Sequence, residues 1–172
     1  MDHIRIQIFV LVLTGAIFAQ DSSLFEFEME DQFKKKYTHD QFEGKVLIVV
    51  GSDREGSRYN EAWSRAIYDS LKSFQLEDSV LFLAVANLKG VPRLLRGYVR
   101  GKFPKNRHRP ILLDWGGEFA RVYQHKSGCT NILLFNREGR MIHQMFGKET
   151  EPQEIEQLLS KIRRIFQKLS QL

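Results

Sequence analysis

The sequence predicts one three-layer α/β domain, with a central mixed sheet, a C-terminal antiparallel hairpin and helices on both faces. Three observations predict it. A β-branched run, Lys45-Val-Leu-Ile-Val-Val50, is followed by an amphipathic segment and a second apolar run at Val80 to Ala86, the pattern of a β-α-β unit. Asn131 to Phe135 and Arg140 to Phe146 are separated by Asn136-Arg-Glu-Gly139, a short glycine-ended link that suits a hairpin. A long amphipathic segment closes the chain.

The first residues, Met-Asp-His-Ile-Arg, lead into an apolar run from Ile6 to Ala19 and then polar Gln20-Asp21-Ser22-Ser23. The run is shorter than the roughly 18 residues that suit a bilayer span and ends in small residues, so 1–20 reads as a signal peptide. Export to the periplasm or the exterior is the expectation. Ile17, three before a cut after Ala19, fits the cleavage rule poorly and keeps an uncleaved anchor as the other reading. No cysteine follows the run, which argues against a lipid anchor. Residues 21–41 are expected to be a lead-in, in which Leu24 to Met29 alternates apolar and acidic like a half-buried strand and Lys34 to Lys36 are solvated. The domain proper is expected over 42–170.

Gly44 and Gly51 bound the central strand. From Tyr59 to Phe74 the apolar residues Ala62, Trp63, Ala66, Ile67, Leu71 and Phe74 recur at three and four, which predicts a helix. The run Val80 to Ala86 is expected to be a second fully buried strand. Pro92 suits the first turn of a short helix carrying Leu94, Leu95 and Tyr98, and 101–109 is a basic loop. Ile111 to Asp114 is a third strand, broken by Trp115-Gly116-Gly117 before a short helix through Phe119, Ala120 and Tyr123. Thr150 and Gln153 have capping-box spacing, Pro152 fits a first helical turn, and Ile155, Leu158, Leu159, Ile162, Ile165, Phe166 and Leu169 form one face.

At 172 residues, 42% hydrophobic and 27% charged, the chain can bury one core and has the composition of neither a disordered nor a multi-span protein. Its net charge is +5, with the excess concentrated at Arg93 to Arg109 and Lys161 to Lys168. Such stretches attract phosphates or anionic lipid, or simply face water, the favoured reading. No basic-aromatic interleaving points to nucleic acid. One cysteine, Cys129, excludes an internal disulfide and every Cys-x-x-Cys redox or metal site.

The order strand, helix, strand, helix, strand, hairpin, helix, with the two final strands antiparallel to the rest, resembles the thioredoxin-like superfamily. Pro110-Ile-Leu-Leu-Asp-Trp-Gly-Gly-Glu-Phe-Ala-Arg-Val-Tyr123 and Thr130-Asn-Ile-Leu-Leu-Phe-Asn-Arg-Glu-Gly139 are similar to segments of its redoxin and peroxiredoxin-related branch. The chain also resembles exported bacterial redoxin-like proteins that lack a redox pair.

That resemblance implies a nucleophilic cysteine just after the first central strand, at the start of the following helix. Here the stretch reads Asp53-Arg-Glu-Gly-Ser-Arg58, and Glu55-Gly-Ser-Arg58 falls where Cys-x-x-Cys belongs. The family's cis-proline is replaced by Thr130, so the bond before it is expected to be trans.

The resulting expectation is a binding or accessory module with no cofactor and no metal, monomeric, acting through the loop face at 52–58 and 127–131 and using Glu55, Gly56, Ser57, Arg58 and Thr130 toward an unidentified protein or small molecule. Ser57 either caps the helix, the favoured reading, or binds an anion. The first alternative is a one-cysteine thiol peroxidase or reductase using Cys129, its thiolate stabilised by Arg58 or Arg54. A buried, unreactive cysteine is the favoured reading of that residue. The second alternative is an anion or membrane-surface binder through 93–109. His108 and His125, with Asp114 or Glu118, form no triad or metal spacing, and His39 and His143 stand apart. Trp63 and Trp115 suit core packing.

Overall fold

The structure, a computed structural model, describes residues 23–169; the expected leader at 1–20 lies outside them. Five strands form the central sheet in the order β5-β4-β3-β6-β7: β3 (Val46–Ser52), β4 (Val80–Asn87), β5 (Ile111–Asp114), β6 (Thr130–Phe135) and β7 (Met141–Gly147). β3, β4 and β5 are mutually parallel, and β6 runs antiparallel to β3. Because β7 is antiparallel to β6, it runs parallel to β3, so only one of the final two strands opposes the rest.

β3 is buried along its whole length, as its unbroken apolar run requires of a strand covered on both faces. Helix α1 (Asn60–Ser73) and helix α4 (Pro152–Leu169) cover one face, burying Trp63, Ile67, Leu71, Ile155, Leu158, Leu159 and Ile162 against Val46, Ile48, Val50 and Ile132. Ala62 and Phe74, counted with the apolar stripe of α1, are exposed at its margins.

The other face is aromatic. It gathers Phe27, Phe42, Phe119, Tyr123 and Phe135 over Leu47, Val49, Leu83 and Val85. The five-residue α3 (Glu118–Val122) covers only part of it, and the chain before β3 supplies the rest. That lead-in forms a small antiparallel hairpin, β1 (Glu28–Glu30) with β2 (Lys36–Thr38), and buries Phe27, Asp31 and Gln32. The Tyr123 hydroxyl ties it down, accepting from the Phe25 N–H at 2.6 Å and donating to the Ser23 carbonyl at 3.0 Å. This thin cover explains why β4, expected to be wholly buried, exposes Leu81: β5 pairs with β4 only from Ala84 onward.

The hairpin turn forms as its composition predicts, with Gly139 at φ +72° and the Asn136 side chain accepting from the Arg140 N–H. Helix α4 does not use the expected capping box. It begins at Pro152, and the carbonyl of Glu151 accepts the first helical N–H groups, which leaves Thr150 one residue too early to be the cap. No helix among the described residues is long and apolar enough to cross a membrane.

Candidate functional site

In an open α/β sheet, loops meet in a crevice at the carboxyl ends of the strands, where the strand order reverses. Here the reversal lies between β3 and β6, and two loops emerge there: 53–59 after β3, and 124–129 before β6.

Asp53 joins them. One carboxylate oxygen accepts from the Gly56 N–H at 2.8 Å; the other accepts from the Ser127 hydroxyl at 2.6 Å and the Gly128 N–H at 2.9 Å. Partial burial pushes this carboxyl up, but the hydrogen bonds from Ser127, Gly56, Gly128 and Glu55 together hold it below the ordinary carboxylate value. Asp53 is thus an internal anion, already seated on N–H groups of the turn that enters α1. Asp114, at the end of β5, does the same for α3 by accepting from the Glu118 and Ala120 N–H groups. No described histidine is among its hydrogen-bond partners.

A second set of contacts reinforces the seam. Gly56 sits so close to Cys129 that a Cβ on it would lie 2.2 Å from the Cys129 carbonyl oxygen. The Thr130 hydroxyl donates to Asn60, whose amide donates to Ser52, both at 2.8 Å. The Asn131 side chain folds loop 126–129 on itself by accepting from the Lys126 N–H and donating to the Lys126 and Cys129 carbonyls.

Of the five expected binding residues, the structure therefore buries Gly56 and Thr130, and leaves Glu55, Ser57 and Arg58 exposed. Ser57 does not cap α1, because a short 3-10 turn over Gly56–Tyr59 precedes the helix; its hydroxyl donates to the Arg54 carbonyl at 2.8 Å. Arg58 donates to the Glu55 carbonyl and lies over the Tyr59 ring.

Cys129 is 7% exposed, and its sulfur donates to the Lys126 carbonyl. Burial, then the Asp53 carboxylate, pushes its thiol up, against weaker opposite effects of Lys148 and Lys126. Neither Arg54 nor Arg58 is among the charges acting on it. No peptide bond among the described residues is cis, so the bond before Thr130 is trans as expected.

His125 belongs to this region as well. Both ring nitrogens are buried without a hydrogen-bond partner, its ring touches Gly51 so tightly that a Cβ there would lie 2.3 Å away, and burial lowers its pKa to about 4. His108 is exposed, and the lowered value of His143 comes from burial and then Lys161. His39, Asp40 and Glu43 do place ligand atoms within 4.8 Å of one another, but two of the three are exposed and His39 already pairs with Asp40 at 2.8 Å. An open groove between α1 and α4, lined by Ala66, Ser70, Pro152 and Leu159, lies on a helical face and not at this seam.

Of the residues that organise the seam, Asp53, Ser127 and Asn131 fall within the loop face expected at 52–58 and 127–131, although no individual role is expected of them, and Asn60 falls outside it. For Asp53 a signal existed: an aspartate at a strand end with glycine three residues on is a side-chain-to-backbone turn pattern.

No family model and no curated protein matches this chain. Solved structures do. The pneumococcal exposed lipoprotein thioredoxin Etrx1 from Streptococcus pneumoniae superposes with a TM-score of 0.56 at 20% identity, covering 80% of this chain and 99% of the other. BsSco, a member of the Sco family of cytochrome c oxidase assembly proteins, gives 0.59 at 11% identity over 85% and 94%. A SCO1/SenC family lipoprotein from Bacillus anthracis gives 0.57 at 13% identity over 85% and 96%. At these identities the likeness speaks to architecture, and on that ground the chain has a thioredoxin-like fold; its sequence holds a single cysteine.

Proposed function

We propose that this protein is an exported thioredoxin-fold binding or accessory module that carries out no thiol–disulfide exchange of its own. The observation that carries this reading is the seam: the N–H groups entering α1, which in a redox centre would stabilise a thiolate, already hold the Asp53 carboxylate. The lone cysteine beside it is buried, with its thiol pushed up rather than down. What the loop face offers a partner is Glu55, Ser57 and Arg58 with Arg54, a mixed-charge exposed rim. Export is supported by the leader-like residues 1–20 and by the fact that two of the similar structures are lipoproteins. N-terminal mass spectrometry of the secreted protein tests it: a chain retained in the cytoplasm refutes export.

The competing reading, a one-cysteine peroxidase or reductase at Cys129, requires an accessible thiol of lowered pKa. Labelling the folded protein with a chromogenic disulfide reagent across pH separates the two. The expected result is slow labelling that accelerates only on unfolding. Rapid labelling near neutral pH, together with peroxide consumption lost in Cys129→Ser, would establish the enzyme.

A further inference from the structure

The connection from β4 to β5, residues 88–110, leaves the same edge of the sheet as the loop after β3, because those strands are parallel. Between Asp78 and Asp114 the sequence holds no acidic residue and eight lysines and arginines: Lys89, Arg93, Arg96, Arg100, Lys102, Lys105, Arg107 and Arg109. Within it, a 3-10 turn (Arg93–Leu95) runs into α2 (Arg96–Arg100). Leu94 is 96% exposed, Tyr98 66% and Leu95 51%. Residues 94 and 98, and 95 and 98, are helical neighbours, so the three make one apolar edge.

The segment is held firmly at its base. Arg100 donates to the Asp31 carbonyl at 2.6 Å and pairs with Glu30 at 2.7 Å; the Gln32 amide donates to the carbonyls of Pro104 and Arg109. Arg96 and Arg100 lie over the Trp115 ring. Arg100 is thereby spent on the fold, whereas Arg93, Lys102, Lys105, Arg107 and Arg109 are exposed. A single exposed leucine is ordinary, but Leu94, Leu95 and Tyr98 are exposed together on one short segment rimmed by cations, which is the form of an interaction patch.

We infer that 93–109 is a docking surface for an anionic lipid bilayer, with Leu94, Leu95 and Tyr98 entering the interface and the exposed cations meeting the headgroups. Three projecting side chains fall well short of the roughly 800 Å² per partner of a stable protein interface. A bilayer needs no complementary pocket, and aliphatic and tyrosine side chains ringed by lysine and arginine are what interfacial segments combine. The pinned base means that docking orders little chain. This inference stands apart from the reading of the loop face.

The test uses the full chain carrying Tyr98→Trp, with vesicles of phosphatidylcholine alone or mixed with phosphatidylglycerol, some bearing brominated acyl chains. The readout is fluorescence quenching beyond that of Trp63 and Trp115 in the parent, so membrane attachment elsewhere in the chain does not enter. Quenching is expected on the anionic vesicles only and should weaken with added salt. It should be lost with Leu94→Ser/Leu95→Ser, and affinity should fall about fivefold for each of Arg93→Gln and Lys105→Gln. Quenching absent from both vesicles, equal on both, or unchanged by Leu94→Ser/Leu95→Ser overturns the inference. So does a doubling of molecular mass in lipid-free solution that Leu94→Ser/Leu95→Ser abolishes, which would make a second copy the occupant.

Discussion

The seam between β3 and β6 and the connection between β4 and β5 lie at one edge of the same sheet, yet they treat their functional groups in opposite ways. At the seam, Asp53, Ser127, Thr130, Asn60 and Asn131 hydrogen-bond to one another and to the backbone, and the single thiol is covered. In the connection, side-chain hydrogen bonds to the rest of the domain come from Arg100 and Gln32 at the base, while Leu94, Leu95, Tyr98 and several arginines face water. The difference teaches that two neighbouring loops at one end of a sheet can divide their polar groups differently, one turning them inward onto the backbone and keeping only its rim in water, the other holding apolar and basic side chains outward.

That contrast can be broken by substitution, and the seam should be far the more sensitive. Gly56→Ala should have the largest effect, because its Cβ would collide with the Cys129 backbone, which cannot rotate away. A loss of about 3 kcal/mol in urea unfolding is expected, the upper end of overpacking costs. A near-neutral result would mean that the two loops are not clamped.

Next in size is a pH effect. His125 is held at about 4 by burial against an ordinary value of 6.5, so the folded state binds its proton less readily than the unfolded chain does. Stability from this group is therefore complete above pH 6.5 and declines as the pH falls toward 4. Between pH 7 and pH 4.5, urea midpoints should register a loss of about 2–3 kcal/mol that His125→Leu lacks.

Asp53→Ala should cost about 1–2 kcal/mol, given three charge-assisted hydrogen bonds in a partly solvated site, and should speed thiol labelling of Cys129 as the clamp loosens. Since Asp53 sits below the ordinary 3.8, its contribution is present above that pH and is lost as acid protonates it. Unchanged labelling would show that the cysteine is covered by something other than this carboxylate. The smallest effect belongs to the other region: Leu94→Ser should change stability by less than about 0.5 kcal/mol in the same assay, because almost all of that side chain is already in water.

Much of the architecture was legible in the residues, because strands and amphipathic helices carry their burial as periodicity. The run 45–50, the helix at Asn60–Ser73 and the turn at Gly139 all followed from local pattern. Capping was less legible. Ser57 and Thr150 had the right residue type at plausible positions, but the 3-10 turn before α1 and the start of α4 at Pro152 moved the helix ends past them. The candidate site was the least legible, since Asp53 meets Ser127 and Gly128 across more than seventy residues of chain.

By itself, then, the sequence determined an α/β domain with one cysteine and a basic stretch free of acids, since composition and short-range periodicity belong to the chain before it folds. Only the tertiary structure decided that the cysteine is covered, that Thr130 faces inward and that Leu94 faces out. Those outcomes depend on which distant segments come to lie over each residue, and no spacing along the chain encodes that.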